Sequence, residues 1–243
     1  RLLAYSSVEN MGITALGFGL GMFGMIRGDK MMAFAGIAGA VLHILNHAFL
    51  KGTLFLAAGS VLRATGTLDL DKMGGLMKRM PHTGKMFCLS AVSLSGLPPF
   101  NGFIGEFLVY FTAFRGVISN TGDISGTALR VLCIIAILAL ALTGGLAAAA
   151  YSRAIGAAFL GEPRTEQAAK AAESPLCMRL ALTLLSVLSL VMIFASPWLC
   201  RHFIPGIISA MQFPTIPDAE IIEEISGMLD MISIFSGGII LIT

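Results

Sequence analysis

The sequence predicts an all-α membrane fold of about six transmembrane segments, one of them discontinuous. Three observations carry that prediction. Hydrophobic residues make up 56% of the 243 and charged residues only 12%, about half the charged share of an ordinary soluble domain and too few to face water all round. Several apolar runs reach or pass the roughly 20 residues that an α-helix needs to cross a hydrocarbon core of about 30 Å. One such run is interrupted by Leu97-Pro98-Pro99-Phe100-Asn101-Gly102. Two adjacent prolines remove two amide donors and clash with the preceding turn, so a helix stops there.

Taken in order, the apolar runs place a first helix at about 2–26 and a second at about 32–62, joined by the polar turn Arg27-Gly-Asp-Lys30. A polar segment from Asp69 to Lys85 follows. The third run, about 86–97, ends at the prolines; a short helix of about 103–117 resumes beyond them, with Asn101 a candidate cap for its free amides. After a polar stretch, 119–126, a long helix spans about 128–158. Residues 159–175 read as a polar, solvent-facing loop, with Ser174-Pro175 suited to open the next span at about 176–200. After Pro214 and Pro217, Ile221, Ile222, Ile225, Met228 and Leu229 recur at helical spacing while Glu220, Glu223 and Glu224 fall largely off that stripe. This predicts an amphipathic surface helix at about 218–230, then an incomplete last span from Met231. Arg1 stands where an initiator Met or signal peptide is absent, and the last run is short, so the sequence reads as a piece of a longer polytopic protein.

Composition excludes several classes. A net charge of +2 does not suggest nucleic acid. Cys88, Cys133, Cys177 and Cys200 lie far apart with no CxxC, and read as buried, inert thiols. No flavin, iron–sulfur or nucleotide motif is present, so no cofactor is expected. Lys and Arg gather in loops 63–85 and 153–179, which the positive-inside rule assigns to the cytoplasm.

A charge at a helix centre costs about 2.5–3.5 kcal/mol on insertion scales, so such residues usually have a task. His43, His47 and Lys51 stand at i, i+4 and i+8. Each step of four advances about 40° beyond a full turn, leaving all three on one stripe. Histidine titrates near neutrality and a buried lysine adapts readily, so such a ladder suits proton passage; the bland alternative is a set of interhelical hydrogen bonds with a snorkelling lysine. His-x-x-x-His also suits zinc, but no third ligand is evident and Asn46 is a poor one. Glu106 sits just past the break, where irregular backbone survives only if it lines a cavity or pathway. Glu9, about a turn and a half into the first helix, is either an interfacial carboxylate near a helix N-terminus or a working group. Arg115 and Arg130 read as interfacial.

Arg1-Leu-Leu-Ala-Tyr-Ser-Ser-Val-Glu-Asn-Met-Gly, His43-Ile-Leu-Asn-His47-Ala-Phe-Leu-Lys51-Gly-Thr-Leu-Phe, Lys72-Met-Gly-Gly-Leu and Leu97-Pro-Pro-Phe-Asn-Gly-Phe-Ile-Gly-Glu106-Phe resemble one family. It is that of the proton-translocating, antiporter-like membrane subunits of complex I, multisubunit cation/proton antiporters and membrane-bound hydrogenases. The motifs cover about the first 115 residues in matching order. The resemblance implies a subunit of about fourteen helices built from two inverted repeats, with 1–158 the first part of the second repeat. His43, His47 and Lys51 then match its His/Lys helix, and Glu106 the ionisable residue of its discontinuous helix. Ser-Ser-Val-Glu-Asn looks most like hydrogenase-4 or formate hydrogenlyase membrane subunits, which favours a working Glu9. What the resemblance implies is proton translocation in a bacterial or archaeal cytoplasmic membrane, beside other membrane subunits that do the redox chemistry. Sodium/proton exchange and a purely structural anchor are the alternatives.

Overall fold

The computed structural model describes residues 1–119, 124–211 and 218–242. Residues 120–123, inside the expected polar stretch 119–126, and 212–217, which include Pro214 and Pro217, lie outside the described residues. Ten α-helices make up the described fold, with a 3-10 turn at Leu70–Lys72. They are α1 Leu2–Ile26, α2 Lys30–Thr65, α3 Leu76–Arg79, α4 Pro81–Leu94, α5 Asn101–Ile118, α6 Ile124–Ala158, α7 Glu166–Ala169, α8 Leu176–His202, α9 Ile204–Ala210 and α10 Ala219–Ile242.

By length and composition, α2, α6 and α8 are long and apolar enough to cross a membrane. The expected count was about six. α1 has 25 residues and α10 has 24, both of spanning length. In α1, Glu9, Asn10 and several glycines dilute the apolar run. α4 and α5, of 14 and 18 residues, lie on either side of the expected break.

α2 is the centre: 67% of its most apolar stretch is buried, against 22% in α6 and 28% in α8. A helix that is apolar all round belongs inside, and α1, α4, α5 and α8 all pack on α2. Small residues bring two of these contacts to backbone distance, the usual device where no water drives helices together. A Cβ added at Gly36 of α2 would stand 2.6 Å from the Gly21 nitrogen of α1. Asp29 starts α2 by accepting from the Met32 amide at 3.0 Å.

One end of the bundle is built from 63–85 and 159–175. The expected solvent loop is in fact bonded to the segment before α4: the Gly75 and Met77 amides donate to the Leu160 and Phe159 carbonyls, each at 2.9 Å, and Thr165 Oγ1 donates to the Lys72 carbonyl at 2.8 Å. α4 starts at Pro81, earlier than expected. Its free amides explain why: Glu173 accepts from the amides of His82 (2.8 Å) and Thr83 (3.3 Å) and from Thr83 Oγ1 (2.6 Å). Burial alone would push the Glu173 carboxyl up, yet hydrogen bonds from the Thr83 hydroxyl and from the Ser174, Thr83 and His82 amides outweigh it and hold the group below the usual carboxylate range. Ser174 does not cap α8, whose N-cap is Pro175 without a side-chain bond.

At the opposite end Arg115 pairs with Asp29 at 3.0 Å, Lys30 with Asp218 at 2.9 Å, and Arg201 with Glu223 and Asp230 at 3.3 and 2.6 Å. Here two expectations are corrected. The 218–230 segment and the last run form one helix, α10, because Ile225 and Leu229 bury against the same core as Ile193 of α8 and carry the helix straight on. The thiols are not uniformly buried: Cys133 and Cys200 are, Cys88 is half-buried, and Cys177 is exposed in the first turn of α8.

Candidate functional site

α1 runs antiparallel to α2, so its early residues face the later ones of α2. Leu3 and Ser6 of α1 lie by Lys51, and Asn10 lies by His43. Lys51 is buried; its Nζ donates to the Leu3 carbonyl at 2.9 Å and to the Tyr151 hydroxyl of α6 at 3.4 Å. Tyr151 and Ser6 share a hydrogen bond of 2.7 Å. One helical turn along, the His43 and His47 rings stack with centroids 6.4 Å apart. His43 is buried, and its Nε2 bonds Asn10 Oδ1 at 3.1 Å, while Asn10 Nδ2 donates to the Ser6 carbonyl at 2.7 Å. His43 Nδ1 and His47 Nε2 are buried without a partner among the described residues. The three residues of the expected stripe thus lie together; α1 supplies partners to His43 and Lys51, and α6 supplies a second one to Lys51.

Glu106 occupies the second turn of α5 and is half-buried. Two glycines place it. Gly96, at φ +66°, bends the chain out of α4, and any Cβ there would strike Glu106 Oε2. Gly105 lets α5 lie directly on the stripe: an added Cβ would stand 2.6 Å from His43 Cβ and 2.7 Å from its Cα. Glu106 is therefore next in sequence to the residue that touches His43, although the two side chains do not bond to each other. Glu9 is half-buried too, close enough to Lys51, Glu106 and Tyr151 to interact with them electrostatically.

The break itself is knotted. α4 ends at Leu94, and Pro98 and Pro99 lie in the turn before α5. Asn101 is not the cap: Phe100 holds that position without a side-chain bond, and Asn101 is the first helical residue. Its side chain reaches sideways instead. Ser93 Oγ donates to Asn101 Oδ1 at 2.6 Å, Asn101 Nδ2 donates to Asn46 Oδ1 at 3.3 Å, and Asn46 Nδ2 donates to the Asn101 carbonyl at 2.9 Å. The Gly102 amide donates to Ser93 Oγ at 3.3 Å, and a Cβ on Gly102 would strike the Ser93 carbonyl oxygen. Ser93, Asn46 and Asn101 are all buried. Asn46 stands on α2 between the two histidines, so this knot ties both halves of the broken helix to the stripe.

Ser6, Asn10, Asn46, Ser93 and Tyr151 thus join a site that the ionisable residues alone defined. The signal available was polarity inside apolar helices, weak for a lone serine or tyrosine. Arg115, expected at an interface, lies at the end of α5, half exposed. Among the described residues no group of three or more His, Cys, Asp or Glu side chains is placed to hold a metal ion.

Comparison with known proteins adds the family. Residues 1–122 match the family described as NADH:quinone oxidoreductase/Mrp antiporter, transmembrane. Hydrogenase-4 component B of Escherichia coli K12 is 39% identical over 199 residues, 82% of this chain and 29% of that protein. Formate hydrogenlyase subunit 3 of the same organism is 36% identical over 217 residues, 89% of this chain and 34% of that one. The chain therefore spans about a third of the length of these curated relatives. A chain of the Mrp complex from Dietzia sp. DQ12-45-1b shares the fold, with a TM-score of 0.58 at 19% identity over 93% of this chain and 42% of that one.

Proposed function

The chain belongs to the NADH:quinone oxidoreductase/Mrp antiporter transmembrane family, and from that premise we propose that it moves protons across the membrane as part of one subunit of a redox-driven complex of hydrogenase or NADH/quinone oxidoreductase type. One observation carries the reading: a line of ionisable side chains, Lys51, His47 and His43, runs through the most buried helix and meets the Gly105 contact beside Glu106. Apolar helices keep such groups only where they do something. Rings 6.4 Å apart are too far for direct transfer, so a proton crosses between them through water, which two unpartnered ring nitrogens are free to bond. Glu9 and Glu106 supply the negative charge that lets a positive one rest nearby. The redox chemistry belongs to other subunits, and the lipid bilayer and neighbouring membrane subunits are the partners. The end built from 63–85 and 159–175, with its larger share of Lys and Arg, faces the cytoplasm.

Sodium/proton exchange is the second reading, favoured by the two carboxylates, Glu9 and Glu106, beside the line. Glu106→Gln and Lys51→Met, each introduced into the full-length chain in its assembled complex, separate the possibilities. Proton translocation in inverted membrane vesicles falls at least tenfold in both variants if the relay operates. Translocation that survives both, in assembled complex, leaves only a structural anchor. Translocation that requires sodium establishes exchange.

A further inference from the structure

α6 is otherwise an outer helix, yet Tyr151 is among the largest fully buried side chains of the protein. A phenol inside hydrocarbon must find partners for its hydroxyl, and this one finds two: Ser6 at 2.7 Å and Lys51 at 3.4 Å. We propose that Tyr151 is a positioning residue for Lys51, its hydroxyl, shared with Ser6, holding the amine in both of its protonation states by reversing the direction of the hydrogen bonds. The proposal rests on the relay reading of Lys51.

The chemistry follows from the donor inventory. An ammonium has three donors and no acceptor, so protonated Lys51 donates to the Tyr151 oxygen, and the phenol turns its own proton to Ser6 Oγ. Neutral Lys51 has a lone pair; the phenol then donates to it, and the Ser6 hydroxyl donates to the phenol oxygen. The Tyr151–Ser6 contact admits either atom as donor. The Leu3 carbonyl accepts from Lys51 in both states. The proton that leaves Lys51 passes to the water beside His47, and Tyr151 keeps its own, so both hydroxyls rotate while no heavy atom shifts. Such preorganisation lowers the cost of each transfer. The charged and titratable groups facing Lys51 are Glu9 from α1, His47 along α2 and Tyr151 from α6.

Tyr151→Phe, Ser6→Ala and Lys51→Met in the full-length chain, assembled in its membrane complex, test this. Initial translocation rates are read by dye quenching in inverted vesicles across the neutral pH range. Tyr151→Phe is expected to slow translocation about tenfold, the loss of one hydrogen bond to a charged group, and to displace the pH profile. Ser6→Ala displaces it the same way, by less. A merely structural tyrosine lowers the amount of assembled complex and leaves the profile where it was, and that result overturns the proposal. If Tyr151→Phe does not assemble, Ser6→Ala, which removes a single oxygen, decides by the same displacement. Translocation that persists in Lys51→Met overturns the relay itself. A dead Lys51→Met beside an unmoved profile in Tyr151→Phe overturns only the role of Tyr151.

Discussion

Asn101→Ala cuts the knot at the helix break by removing its buried side-chain amide. Two side-chain bonds disappear, the one accepted from Ser93 Oγ at 2.6 Å and the one donated to Asn46 Oδ1 at 3.3 Å, while the bond from Asn46 Nδ2 to the Asn101 carbonyl survives on the backbone. Buried interhelical hydrogen bonds in membrane proteins average about 0.6 kcal/mol and reach about 1.7. The shorter bond lies at the strong end, so the pair predicts a loss of about 1–2.5 kcal/mol. Unfolding of the full-length chain in mixed detergent micelles reads the loss. A double-mutant cycle with Asn46→Ala isolates the bond between the two amides, expected to couple by about 0.5–1 kcal/mol. Because Asn46 lies between His43 and His47, proton translocation falls along with stability. An unchanged unfolding free energy together with zero coupling in the cycle refutes the assignment of the knot.

Other consequences are checked with similar means. Glu173→Gln loosens the start of α4. The folded Glu173 carboxyl is held below the ordinary value, so its contribution is present at neutral pH and fades as acid protonates it in the folded state; thermal stability of the wild type falls toward that of the variant at low pH, and parallel curves contradict the clamp. Gly105→Ala drives a methyl into the backbone of His43 and is expected to destabilise by about 1–3 kcal/mol, whereas an alanine tolerated at full stability contradicts the close packing of α5 on α2 at His43. Asp29 caps α2 and pairs with Arg115 through its other oxygen. Asp29→Ala is therefore worse, at about 1–2 kcal/mol, than Arg115→Ala, which loses only a half-exposed ion pair worth about 0–1 kcal/mol; the reverse order in denaturation midpoints contradicts the capping role.

Some of this was legible from the residues alone. His43, His47 and Lys51 stood out because ionisable groups are conspicuous in an apolar run, and their spacing of four placed them on one face. Pro98 and Pro99 announced the break, and Glu106 was found by its nearness to it. Tyr151 was hidden because a tyrosine in an alanine-rich run reads as packing, and its partner Ser6 lies 145 positions away. Asn46 was weighed only as a metal ligand, and Asn101 only as a cap, since local rules describe what a side chain does to its own helix and not to a neighbouring one. Glu173 read as part of a solvent loop for the same reason: its partners, the amides of His82 and Thr83, are about 90 positions earlier. The joint inside α10 was misplaced because its acidic first turns and apolar later turns look like two environments, which one helix leaving a membrane surface also shows.

The central claim is that Lys51 and Glu106 serve one conduit. Proton translocation by Lys51→Met, Glu106→Gln and the double variant, measured on equal amounts of assembled complex, tests it most directly, because groups acting in one unit are non-additive. The account predicts a double variant no slower than the slower single one. A double variant slowed by the product of the two single losses contradicts it.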